Sequence, residues 1–263
     1  MTIRIVRGTG YSGFSLVEMA VVLAIVGLLL GGLLLPLGAQ IEQQQMNETQ
    51  RRLEMARDAL VGFATANRRL PCPANATSLG VEVIGTAYAS GGGACSLPWT
   101  GYVPAVTLGL LPVDSNKFYV DAWGNPIRYA VTDFNMTVSG TANVRPFTST
   151  DAMRSVYNAS SLTALLPDLR VCSTATGMSG SGATADCAAS SALISNAAAV
   201  VFSTGKNTPT GGTGTDEAAN LNADRVFVSH TPTIATGNEF DDIVLWLSSY
   251  LLYTRMIAGG ALP

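Results

Sequence analysis

Gly13-Phe14-Ser15-Leu16-Val17-Glu18-Met19-Ala20-Val21-Val22-Leu23-Ala24-Ile25-Val26-Gly27-Leu28-Leu29-Leu30-Gly31-Gly32-Leu33-Leu34-Leu35-Pro36-Leu37-Gly38-Ala39-Gln40-Ile41 is the stretch from which the rest of the chain is read. The 23 residues between Glu18 and Glu42 carry no charge. As a helix rising about 1.5 Å per residue, they just cross a hydrocarbon layer of about 30 Å. Glu18 stands near the beginning, where a plain membrane anchor has no use for an acid. Upstream, residues 1–13 hold Arg4 and Arg7 and no acid. The positive-inside bias therefore predicts a cytoplasmic N-terminus, with everything after Ile41 exported. A secretory signal would have a shorter apolar core with its small-residue cleavage site behind it. Here the small residue, Gly13, comes first, and a cut after it would leave Phe14 at the head of an intact helix.

Gly13-Phe14-Ser15-Leu16-Val17-Glu18, behind a short basic leader, resembles the processing site of type IV pilins and type II secretion pseudopilins. The resemblance implies a prepilin peptidase that cleaves after Gly13 and methylates the Phe14 amine. It also gives Glu18 an assembly role. The carboxylate lies roughly 6 Å inside the helix start. A charge at the bilayer centre costs on the order of 2.5–3.5 kcal/mol and less near the surface, so a lone subunit tolerates it. In a bundle it can pair with the Phe14 amine of a neighbour, and removing one partner of a desolvated pair costs about 3–5 kcal/mol. That is enough to enforce axial stagger. Gly27, Gly31 and Gly32 would let helices approach closely, and Pro36 would bend or locally melt the helix.

Beyond Ile41 the helical period persists. Met46, Thr49, Leu53, Ala56, Leu60 and Phe63, spaced 3, 4, 3, 4 and 3, draw one stripe, with the charges of Glu42, Glu48, Arg51, Arg52, Glu54 and Arg57 largely off it. One rod from about Phe14 to Asn67 is predicted, stopped by Arg68-Arg69-Leu70-Pro71. The stripe is narrow and is expected to pack on the chain's own head. A rod with a globular head is also the pilin plan.

The net charge of −3 and pI near 5.1 give no general basic surface, so nucleic acid is not an expected partner. With 13% charged residues and 27 glycines, the head suits an extracytoplasmic, loop-rich domain. Cys72, Cys95, Cys172 and Cys187 form no Cys-x-x-Cys pair, and His230 is the single histidine, too little for a zinc site. Beyond a membrane segment such cysteines read as disulfides. Pairing Cys72 with Cys95 and Cys172 with Cys187 would close two surface loops; the two other connectivities stay open.

In the head, residues 71–112 read as a long loop, and Leu70-Pro71-Cys72-Pro73 is similar to a segment after the helix in some minor pilin-like proteins. Phe118 to Val131 reads as two β-rich runs around Gly124-Asn125-Pro126. Asp121-x-Trp123-Gly124-Asn125-Pro126 resembles the first strands of the major type II secretion pseudopilin, with Trp123 expected to anchor the core. An acidic loop further on binds calcium in that family. Here Asp133, Asp216, Glu217, Asp241 and Asp242 are the candidate oxygen ligands, but no Asp-x-Asp-x-Asp loop exists, so no metal or cofactor is assigned and calcium stays the one ion in question. Residues 137–150 and 173–191 read as exposed loops, Leu162–Leu166 as a short helix, and Ala198–Ser203, Arg225–Ser229 and Ile243–Ser248 as strands. The glycine-rich stretch Gly205–Gly214 lacks Walker spacing, which needs glycine at Val200, and reads as a surface loop. Phe240-Asp241-Asp242-Ile243-Val244-Leu245-Trp246 resembles the ending of some minor pilin-like proteins. Its acids are expected to cap a turn or line an ion site. The tail from Tyr250 should pack back on the head. With a single histidine, presumed to sit exposed at a strand end, no nucleophile–base pair is assigned and no enzyme is expected.

The reading is α+β and pilin-like: a long N-terminal helix packed on an antiparallel β-sheet with disulfide-tied loops. Residues 1–13 form the cytoplasmic leader, 14–41 the transmembrane and assembly helix, 42–69 its amphipathic continuation and 70–263 the extracytoplasmic head. The expected function is structural, as a minor pilin or pseudopilin of a type IV pilus or type II secretion pseudopilus. The expected partners are prepilin peptidase, other pilins or pseudopilins, the inner-membrane assembly platform and the inner membrane itself, with the head periplasmic. The alternative is a filament-borne adhesin using loops around Gly91 or Gly211.

Overall fold

The structure, a computed structural model, describes residues 13, 15–85, 94–207, 214–234 and 237–262, with the backbone alone for 30–37. The expectations placed on residues 1–12, on Phe14, and on the loops at Gly91 and Gly211 lie outside the described residues. The chain divides into two units, Met1–Gln45 and Met46–Pro263. Helix α1, Leu16–Asn67, contributes to both.

In the first unit the described side chains from Ser15 to Leu29 are exposed, Leu16 at 87% and Leu28 at 78%. The helical assignment runs through Pro36, and the close approach expected of Gly31 and Gly32 falls outside the described side chains. Among the described residues, no helix is long and apolar enough to cross a membrane. The uncharged run of the sequence includes residues 30–37, so the described side chains cover it only in part.

In the second unit Thr49, Leu53, Ala56, Leu60 and Ala64 of α1 are buried. The stripe closes on Ala64, because Phe63 lies half-buried at the flank under the Arg69 guanidinium, 5.2 Å from its ring centre. The helix ends where Arg68 turns left-handed (φ 56°). Arg68 and Arg69 then reach across the chain, to Asp151 at 2.8 Å and in a two-pronged contact to Glu82 at 2.7 and 2.8 Å.

The remaining elements are β1 (Gly101–Tyr102), α2 (Ala105–Leu108), β2 (Arg128–Val131), β3 (Met136–Val138), β4 (Thr141–Val144), α3 (Ala152–Ala159), β5 (Leu169–Cys172), β6 (Ala192–Ser203), α4 (Thr215–Asn220), β7 (Val226–Val228), β8 (Ile243–Ser248) and α5 (Ser249–Ala258). The sheet runs β1-β2-β6-β5-β7, with β8 also on β6. Ala197 pairs with both Leu169 and Ser248, and Val200 with both Ala130 and Trp246. Strands β2 and β5 therefore share one side of β6, and β8 takes the other. Every pairing in the sheet is antiparallel except β5 with β7, so the sheet is mixed.

Strand β6 is buried from Ala197 to Ser203 because both faces are covered. Ala199 and Val201 pack with Leu53 and Leu60 of α1, Tyr129 and Leu247; Val200 and Phe202 pack on the opposite side with Ala130, Phe227 and Trp246. That alternation is the two-residue period of a strand.

Several sequence readings change. Residues 137–150 are not simply exposed loop: after the β3–β4 hairpin, residues 145–149 are buried, with Phe147 in the core. Arg145 can be buried because its guanidinium pairs with Asp133. Trp123 is half-buried and outside the core clusters; Tyr119, Ile127 and Tyr129 fill that place. Of the two runs around Gly124, only the second forms a ladder strand, the first contributing two isolated bridges, Tyr119 to Val113 and Val120 to Pro126. Residues Leu162–Ala164 form a 3-10 turn. The tail folds back as α5, capped by the Ser248 hydroxyl on the Leu251 amide, and buries Leu252, Met256 and Leu262. Disulfides join Cys72 to Cys95 and Cys172 to Cys187.

Candidate functional site

At the start of α1, the Ser15 hydroxyl accepts from the Glu18 amide (3.2 Å), and a Glu18 carboxylate oxygen accepts from the Ser15 amide (3.4 Å). This reciprocal capping satisfies two backbone donors that a helix start leaves orphaned. Ser15 went unassigned in the sequence reading, although Ser-x-x-Glu before an apolar run is the signature that finds it. Gly13, the proposed cleavage residue, has nothing near it that an added Cβ would meet. Glu18 is exposed, and among the described residues its carboxylate serves its own helix end.

A second arrangement lies in the head. Asp121 is buried, and its carboxylate accepts from the Trp123 and Asn125 amides (2.9 and 2.8 Å) and from the Ser203 hydroxyl (2.6 Å). Asn125 donates to the Gly205 carbonyl (2.8 Å). The Asp-x-Trp-Gly-Asn segment thus forms the base on which the turn after β6 rests. That turn uses Gly205 in the left-handed region (φ 66°), where a Cβ would run into the Asp241 carboxylate. One Asp241 oxygen accepts from the Lys206 and Asn207 amides (2.9 and 3.2 Å).

Around this turn, carboxylate oxygens of Glu217, Asp241 and Asp242 come within 4.8 Å of one another. Glu217 is fully buried on α4 and accepts from the Asp241 amide (2.9 Å) and the Asn207 side-chain amide (3.0 Å). Asp242, 4% exposed, accepts from Asn220 (2.7 Å). Burial pushes the Asp242 carboxyl up to about 8, with Glu217 and Asp241 adding repulsion, and burial raises Glu217 as well. Among the described residues, three buried oxygens here have no hydrogen-bond donor: Asn207 Oδ1, Asp241 Oδ1 and Asp242 Oδ1. Three carboxylates this close, two of them with a buried oxygen that meets no described donor, fit a hard cation of the calcium type. Of the five candidate ligands, the fold brings together Glu217, Asp241 and Asp242. Asp133 pairs with Arg145, and Asp216 serves Thr174, Ala175 and His230. Asn207 was missed, since an amide thirty-four positions from Asp241 gives no spacing signal.

His230 is half-buried rather than exposed, stacked on Phe240 with ring centres 3.9 Å apart. One ring nitrogen lies 2.8 Å from the Thr231 carbonyl and the other 3.2 Å from Asp216. Both nitrogens are thus engaged, and the ring works as a clip between loops.

The described residues form an α+β plan, with a capped N-terminal helix in the first unit and a disulfide-tied mixed sheet in the second. Residues 9–34 match the family model of the prokaryotic N-terminal methylation motif. The match spans 26 of the 263 residues and lies at the N-terminal end of α1 and the segment before it. No curated protein and no solved structure matches the chain.

Proposed function

We propose that the chain is a filament subunit, cleaved after Gly13 by prepilin peptidase, methylated at Phe14, held in the inner membrane and assembled by helix packing into a type IV pilus or type II secretion pseudopilus. The observation that carries this reading is the methylation motif at residues 9–34, over a helix whose described apolar side chains from Leu16 to Leu29 are exposed. Such a surface needs lipid or neighbouring helices to cover it. Glu18 leaves its own cap for the Phe14 amine of a neighbour in the filament. The roughly 200-residue head from Leu70 onward, larger than a repeating subunit needs, supports a minor, tip-proximal place.

In the head, Glu217, Asp241 and Asp242 with the Asn207 amide oxygen hold a calcium-type ion. It neutralises the three acids and fixes the turn at Gly205. The ion's role is structural.

Mass spectrometry of the mature protein tests processing: the expected N-terminus is methylated Phe14, and an intact Met1 overturns the reading. Shearing filaments from cells with and without the protein tests the role. Loss of filaments supports a scaffold, whereas normal filaments without surface attachment support the adhesin.

A further inference from the structure

Asp216 and Glu217 are neighbours on α4 whose carboxylates serve different parts of the head. Glu217 faces Asn207 and Asp241. Asp216 accepts from the Ala175 amide (2.6 Å) and the Thr174 hydroxyl (3.2 Å), and lies 3.2 Å from His230. Thr174 and Ala175 belong to the loop closed by Cys172 and Cys187. An apolar contact runs the same way, since Ala219 of α4 packs in one cluster with Phe240, Ala175 and Met178. At the far end of α4, Asn220 bonds both the amide and the carbonyl of Val228 and donates to Asp242.

A helix of six residues has no stability of its own and is held by such contacts. Three carboxylates within 4.8 Å repel unless a proton or a cation intervenes. Asp241 and Asp242 lead directly into β8, and Asn207 follows β6 through a turn clamped by Asn125. Glu217 alone stands on an element outside the sheet, so the repulsion moves α4.

Resting on the calcium-type reading of the acidic cluster, we infer that occupancy at Glu217 orders α4 and, through Asp216, the Cys172–Cys187 loop, making a largely exposed surface of the head ion-dependent. Asp216 is the positioning residue that passes the order on.

Hydrogen exchange on the full chain in detergent micelles, titrated with calcium chloride against EDTA, tests this. In the wild type, protection of residues 215–220 and 173–187 should rise together with a common half-saturation. Glu217→Gln should raise the half-saturating calcium concentration at least about tenfold. Asp216→Ala, which removes the acceptor of both loop bonds, should keep calcium protection of 215–220 and lose it at 173–187. Calcium without effect on exchange or melting overturns the cation reading and the inference with it. Calcium protecting 204–207 and 241–242 but not 173–187 in the wild type overturns the coupling alone. Should Glu217→Gln fail to fold, the wild-type and Asp216→Ala titrations still decide.

Discussion

Glu18 has two uses for one carboxylate. In the single subunit it closes a capping box with Ser15, an interaction worth about 1 kcal/mol at an exposed helix end. In a dry bundle, leaving a charge without its partner costs about 3–5 kcal/mol. The second magnitude wins, so the carboxylate is expected to exchange its own amide for a neighbour's Phe14 amine on assembly. Glu18→Ala should therefore remain in the membrane fraction and disappear from sheared filaments. Incorporation at the wild-type level would sink the pairing. Ser15→Ala removes only the cap and should weaken the helix start by about 0.5–2 kcal/mol, read by circular dichroism of the N-terminal peptide in micelles.

At the scale of elements, the second half of α1 is fixed by packing and by a polar clasp. Leu60 is fully buried against the sheet, so Leu60→Ala should cost about 2–5 kcal/mol in urea unfolding. Arg52 donates to the Val120 and Asp121 carbonyls (3.0 and 2.7 Å) while held by Glu48 (2.9 Å), and Thr49 accepts from the Ala122 amide (3.1 Å). The helix was legible because its 3,4 spacing is a local signal. Strands β6 and β8 were legible as apolar runs, although β6 begins before its buried part, since Ala192, Leu193, Ser195 and Asn196 are exposed. Phe147 was not legible, because what buries it is a distant pairing of Arg145 with Asp133 and a Leu70–Phe147 backbone bond (2.7 Å). The acidic cluster was legible only as a set of residue types. Its members come from three separate stretches, brought together by the turn at Gly205 and by α4.

Over the whole molecule, two kinds of cross-link replace the regular structure that long loops lack. The Cys72–Cys95 bridge closes a segment whose described residues have little regular structure, and replacing both cysteines with serine should cost about 2–5 kcal/mol. The acidic cluster is the other link, and its sign depends on pH. Asp242 ordinarily titrates near 3.8, and burial lifts it to about 8 in the folded head. The folded state therefore holds a proton that the unfolded state has released. Stability from this group is full below about pH 4 and is lost as pH rises towards 8. Each unit of that shift corresponds to about 1.4 kcal/mol. Glu217, Asp121 and Asp224 are raised by burial too and act in the same direction, while Glu48, lowered mainly by its bond to Arg52, opposes them from a half-buried site. In EDTA the protein should thus melt at a lower temperature at pH 8 than at pH 5, and Asp242→Asn should shrink that difference. Calcium competes with the proton, so its stabilisation, about 2.7 kcal/mol at a hundredfold excess over Kd, should be large at pH 8 and small at pH 5. Thermal melts at the two pH values, with and without calcium, read both effects. A calcium shift equal at pH 5 and pH 8 would mean that the ion binds elsewhere, because only at this cluster must it displace a proton held so far above its ordinary pH.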